Sequence, residues 1–145
     1  MTWASTVIEF IRGSLEHLQP LIDVSIASYG SLRERVSCKA LIDKSATRTC
    51  LTAELIQQLG LPPRGKVLVS SATSYPERRK AYGYSLGLFC TSGPTDRTLY
   101  VLADEFVAPP FQDNDNFQVL LGMDLASRGR LVFEEDGSFE FSFDL

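Results

Sequence analysis

An aspartate at the end of an apolar run constrains this chain more than any other feature. Ala40-Leu41-Ile42 leads straight into Asp43, and the small, hydroxyl-rich Ser45-Ala46-Thr47 follows one residue later. An apolar run bounded by turn-forming residues reads as a short buried strand, and the polar residues behind it as a bend. A carboxylate delivered to the end of a buried strand needs hydrogen bonds or a charged partner, which makes Asp43 a candidate site residue. The plain alternative is a structural carboxylate that caps its own turn.

Composition limits what such a site belongs to. The 145 residues suffice for one domain with a real core. With 44 % hydrophobic and 22 % charged residues, the balance is globular and argues against disorder. A net charge of −4 and no long basic run favour neither nucleic acid nor a membrane as partner. Arg78-Arg79-Lys80 is the one basic cluster, and it reads as a solvated loop. No apolar run reaches the length of a membrane span and no leader-like segment opens the chain, so a soluble, cytoplasmic protein is expected. Cys38, Cys50 and Cys90 are odd in number and widely spaced. They fit neither a disulfide framework nor a zinc pattern and read as buried free thiols. His17 is the single histidine, which excludes a multi-histidine metal site, and it reads as an exposed bystander. No metal and no cofactor is expected.

Taken in order, the chain reads as mainly β. Residues 6–11 are rich in β-branched and aromatic types and read as a first strand, with a short helix as the alternative. Residues 21–26 alternate apolar and polar, predicting a strand with one buried face, and 29–31 predict a turn. Residues 33–42 are the return strand that delivers Asp43. Residues 52–60 predict a short helix, capped by Thr52, complemented by Glu54 and stopped by Gly60. Apolar strands at 67–69 and 82–89 flank a polar segment, 70–81, and the arrangement reads as a long hairpin with a mobile, water-facing tip. Residues 98–103 are a further strand, and 112–116 an acidic loop. Phe117 to Leu125 reads as an apolar strand, a glycine turn at Gly122 and a short helix. Asp136-Gly137 between apolar strands is a hairpin signal.

Two of these pieces resemble the retroviral-type (retropepsin-like) aspartic proteases. Leu41-Ile42-Asp43 and Ala46-Thr47 fit that family's active-site loop, and Leu120-Leu121-Gly122-Met123-Asp124 fits its apolar-apolar-Gly segment near the C-terminus. The order of strand and Asp, helix, long hairpin, strand and glycine turn fits as well. The resemblance implies a retropepsin-like acid-protease β-barrel with one or two short helices. It covers residues 21–145 as a single domain and leaves 1–20 as an N-terminal extension or first strand. It implies Asp43 as the catalytic residue, Lys44, Ser45, Ala46 and Thr47 as its loop, and Leu121-Gly122 as the supporting turn. Ser71, Ala72, Thr73 and Tyr75 would belong to a flap over a bound peptide.

Lys44 stands where the family has Thr or Ser, and Ser45 where it has Gly. Aspartic proteolysis needs two carboxylates sharing one proton. This chain holds one such loop and no internal repeat, so catalysis would require a homodimer with Asp43 from each subunit. Lys44 donates hydrogen bonds but cannot accept them, and Ser45 adds a side chain where the loop favours glycine. The alternative is therefore a non-catalytic pseudoprotease, a peptide-binding or dimerisation module on the same scaffold. Either way the expected partner is a peptide or protein.

Overall fold

Period-two patterning becomes two sheets. The structure, a computed structural model, describes residues 8–16, 18–28, 34–71, 74–90 and 98–144. Strand β1 (Ile8–Ser14) settles the strand-or-helix alternative near the N-terminus, although residues 6 and 7 lie outside the described ones. Strands β2 (Leu21–Ala27) and β3 (Arg35–Ile42) pair antiparallel, with Leu21 opposite Leu41. The turn expected at 29–31 and His17 lie outside the described residues. Strand β2 carries more than one buried face. Val24 and Ile26 enter the core, and the opposite-facing Ser25 is buried too, because β2 lies mid-sheet between β3 and β6.

After β4 (Cys50–Thr52) comes helix α1 (Ala53–Leu59). The Thr52 hydroxyl accepts from the Leu55 N–H at 3.3 Å, and Gly60 ends the helix at φ 58°, a left-handed conformation that costs glycine least. A second cap arrives from the acidic loop, where the Asp113 carboxylate accepts from the Glu54 N–H at 3.0 Å.

Strands β5 (Pro63–Ser71) and β6 (Ser74–Cys90) form a long hairpin, but most of the polar segment 70–81, expected to be its water-facing tip, is strand. Ser71 already pairs with Ser74, and β6 runs unbroken from there. Polar residues do not disqualify a strand in a projecting two-stranded ribbon, since water reaches both faces. The Arg78-Arg79-Lys80 cluster is therefore strand, not loop. Strand β7 (Thr98–Ala108) pairs with β6 and is longer than the predicted 98–103. A register shift lets it continue, with Glu105 at φ 54°.

Strands β8 (Pro110–Phe111) and β9 (Val119–Leu121), helix α2 (Met123–Ala126), β10 (Gly129–Phe133) and β11 (Ser138–Asp144) complete the chain. The larger sheet runs β5-β6-β2-β3-β9-β4-β8 with β7 beside β6; the smaller is β1-β11-β10. Between them lies one core, in which Val24, Ile26, Leu51, Leu55, Tyr84, Leu86, Leu121, Leu125, Phe139 and Phe141 are buried. Among the described residues no helix is long and apolar enough to cross a membrane.

Candidate active site

Strand β9 runs parallel to β3, with Leu121 opposite Ile42. That pairing ends on Asp43, whose N–H donates to the Leu121 carbonyl at 3.0 Å. The preceding N–H, of Ile42, donates to the Pro20 carbonyl at 3.1 Å. The chain then bends sharply: the Ala46 N–H returns to the Asp43 carbonyl at 3.3 Å, with Lys44 and Ser45 exposed at the apex. Asp43 itself is half-buried. Its Oδ1 accepts twice from Ser45, from the N–H at 2.9 Å and from the hydroxyl at 2.5 Å. The Oδ2 oxygen has no hydrogen bond among the described residues. One oxygen is thus anchored by the loop and the other is left to meet solvent, a ligand or a second carboxylate.

The loop and the glycine turn are fastened backbone to backbone. Met123 N–H donates to the Ala46 carbonyl at 2.7 Å, and Asp124 N–H to the Thr47 carbonyl at 3.2 Å. Gly122 is obligatory for its closeness rather than for its dihedrals. A Cβ there would fall 2.8 Å from Thr49 N and nearer still to the Arg48 carbonyl, with which no backbone can coexist.

Beneath this contact lies a polar pair that sequence reasoning missed, Thr49 with the half-buried Asp124. Thr49 is fully buried. Its hydroxyl donates to Asp124 Oδ1 at 2.7 Å and accepts from the Gly122 N–H at 3.1 Å. Its own N–H donates to both Asp124 oxygens at 3.0 Å. Asp124 is thereby held as a structural carboxylate linking two loops. The available signal was a lone carboxylate between the apolar Met123 and Leu125. Beside the pair, the wholly buried Tyr84 hydroxyl faces Thr49 and Asp124 without closing a hydrogen bond to either. Burial pushes its pKa up, and the Asp124 charge adds to that. Cys50 is pushed up to about 11 by burial first and by Asp124 second, against the pull of Arg79 and Arg48.

Among the expected flap residues, Ser71 forms the last rung of the β5–β6 ladder with Ser74, and Tyr75 follows on β6. Ala72 and Thr73 lie outside the described residues. The hairpin is tied to the Asp43 loop by Arg48, whose Nε donates to the Leu68 carbonyl of β5 at 3.3 Å. The structure therefore brings Asp43, Lys44, Ser45, Ala46, Thr47, Leu121 and Gly122 together and connects the β5–β6 hairpin to them through Arg48. Among the described residues, no three His, Cys, Asp or Glu side chains converge as metal ligands would.

No protein-family model matches this chain, and no curated protein matches it. Among solved structures, it is similar to a retropepsin-like aspartic protease from Rickettsia conorii, with 17 % identity and a TM-score of 0.55. That match covers 99 % of this chain and 98 % of the other. At that identity the likeness is one of fold: mainly β, a retropepsin-like barrel with two short helices.

Proposed function

We propose that this chain is a retropepsin-like aspartic peptidase domain that assembles its active site as a homodimer, with one Asp43 from each subunit. The observation that carries this reading is the half-free carboxylate at the end of β3, anchored through Oδ1 and held against the Leu121-Gly122 turn. In the reaction, the ionised Asp43 takes a proton from water, whose oxygen adds to the scissile carbonyl carbon. The protonated Asp43 of the second copy gives its proton to the carbonyl oxygen. Collapse of that intermediate breaks the C–N bond and returns a proton to the leaving amine. The two carboxylates titrate as a pair.

One observation favours the second reading, a pseudoprotease that binds peptide without cleaving it. The Ser45 hydroxyl occupies Oδ1, and Lys44 sits at the loop apex where a two-fold partner would meet it. Paired ammonium groups there would hold both carboxylates ionised and remove the shared proton. The test is peptide-library cleavage at acid to neutral pH by the native chain, Asp43→Asn and a Lys44→Thr, Ser45→Gly double variant. Cleavage by the native chain that Asp43→Asn abolishes supports the enzyme. Cleavage by the double variant alone supports the pseudoprotease. No cleavage by either, in material shown to be dimeric, refutes the peptidase lineage.

A further inference from the structure

Along the sequence Arg78-Arg79-Lys80 is only a short basic run, but the β5–β6 ladder re-sorts it. Alternation sends Arg78 and Lys80 to one face of the ribbon and Arg79 to the other. Across the ladder Lys80 stands opposite Lys66, and Arg78 opposite Leu68. Lys66, Arg78 and Lys80 therefore gather on a single face around Leu68, which is 55 % exposed. All three cations are exposed, and among the described residues none has a carboxylate within ion-pair distance. The opposite face differs: Arg79 is answered by Glu77 at 3.7 Å, and it turns toward Cys50, whose thiol feels its charge.

Like charges directly opposite one another destabilise a ladder. Lys66 and Lys80 occupy such a pair in a chain whose net charge is −4, so the cations do not follow the general composition. A concentration of unanswered positive charge on the hairpin beside the Asp43 loop is complementary to a polyanionic partner. We propose that this outer face of the flap hairpin binds an acidic stretch of the polypeptide ligand, flanking the segment held at Asp43, so that the site selects acidic chains. This rests on the reading of the site as one that takes an extended peptide. Arg78 and Lys80 are two residues apart on one strand face, so an extended partner with Asp or Glu at alternate positions presents its charges at the same spacing. The aliphatic Leu68 at the centre suits a polypeptide, whereas single-stranded nucleic acid is usually gripped by aromatic stacking.

The test is fluorescence anisotropy with two fluorescein-labelled peptides, identical except that alternate Glu residues in one are Gln in the other, and a single-stranded oligonucleotide of similar length. The binding protein is the full chain, compared with a Lys66→Glu, Arg78→Glu, Lys80→Glu variant whose melting is checked. Three exposed charge pairs together give a preference on the order of tenfold for the Glu peptide at low salt. That preference shrinks in high salt, as screening requires, and disappears in the variant. Equal binding of the two peptides, or a preference that survives in the variant, overturns the proposal. So does tighter, charge-reversal-sensitive binding of the oligonucleotide. Binding and cleavage separate the two readings: acidic selectivity without cleavage upholds the patch and counts against the peptidase. Cleavage that depends on Asp43 and ignores peptide charge does the reverse.

Discussion

Replacing Thr49 with valine tests the internal fastening of the site most sharply. The two side chains have nearly the same shape, so the core around them is undisturbed, but the hydroxyl is lost. Two bonds go with it: the 2.7 Å donation to Asp124 and the 3.1 Å acceptance from the Gly122 N–H. A hydrogen bond to a charged group contributes about 1.5–3 kcal/mol, and leaving a buried donor unsatisfied costs about 1–3 kcal/mol. The two effects share one site and do not add fully, and Asp124 keeps its bonds from the Thr49 N–H. A net loss of roughly 3 kcal/mol follows, which for a domain of this size lowers Tm by about 10 °C. Thr49→Ser keeps the hydroxyl and removes one methyl group, at about 1 kcal/mol. Urea unfolding of the native chain and both variants, followed by circular dichroism, measures the difference. If Thr49→Val were within about 1 kcal/mol of native, or no worse than Thr49→Ser, the Thr49–Asp124 pair would not be what fastens the Asp43 loop to the glycine turn.

Three further outcomes are expected. Gly122→Ala forces a Cβ into the Arg48 backbone and destabilises by about 3 kcal/mol, the upper end of overpacking; a thermal melt unchanged from native would refute the close approach. Tyr84→Phe removes a buried hydroxyl without a hydrogen-bond partner, so stability stays level or rises by up to about 1 kcal/mol; a clear loss would reveal a bond to Thr49 or Asp124. Burial raises Cys38 and Cys50 from 9.0 to about 12 and about 11. Because these folded-state values lie above the unfolded one, their stabilisation is complete below pH 9.0 and is lost as pH rises through about 11 to 12. Tm measured against alkaline pH should therefore fall more steeply for the native chain than for a Cys38→Ala, Cys50→Ala variant, and parallel slopes would contradict the shifts.

Local signals carried much of this protein. Thr52, Glu54 and Gly60 marked α1 to within a residue, because capping and dipole chemistry act within a single turn. Asp43 after Ala40-Leu41-Ile42, and Gly122 after Leu120-Leu121, announced two strand ends, since a buried strand that meets a polar or glycine residue must turn. The β5–β6 hairpin was legible as a long hairpin, but how far its strands run was not, because charged residues in a ribbon wetted on both sides look like loop.

What the residue order alone determined, then, is a β-rich chain with one carboxylate delivered to a bend and one short helix behind it. Only the tertiary structure decided that β9 lies parallel to β3, which brings Leu121 to the Asp43 N–H across nearly eighty positions of chain. It also paired Thr49 with Asp124, and Lys66 with Lys80 across the ladder. Such partners are chosen by how strands stack to bury a shared core, and no local preference encodes which distant residue will stand opposite.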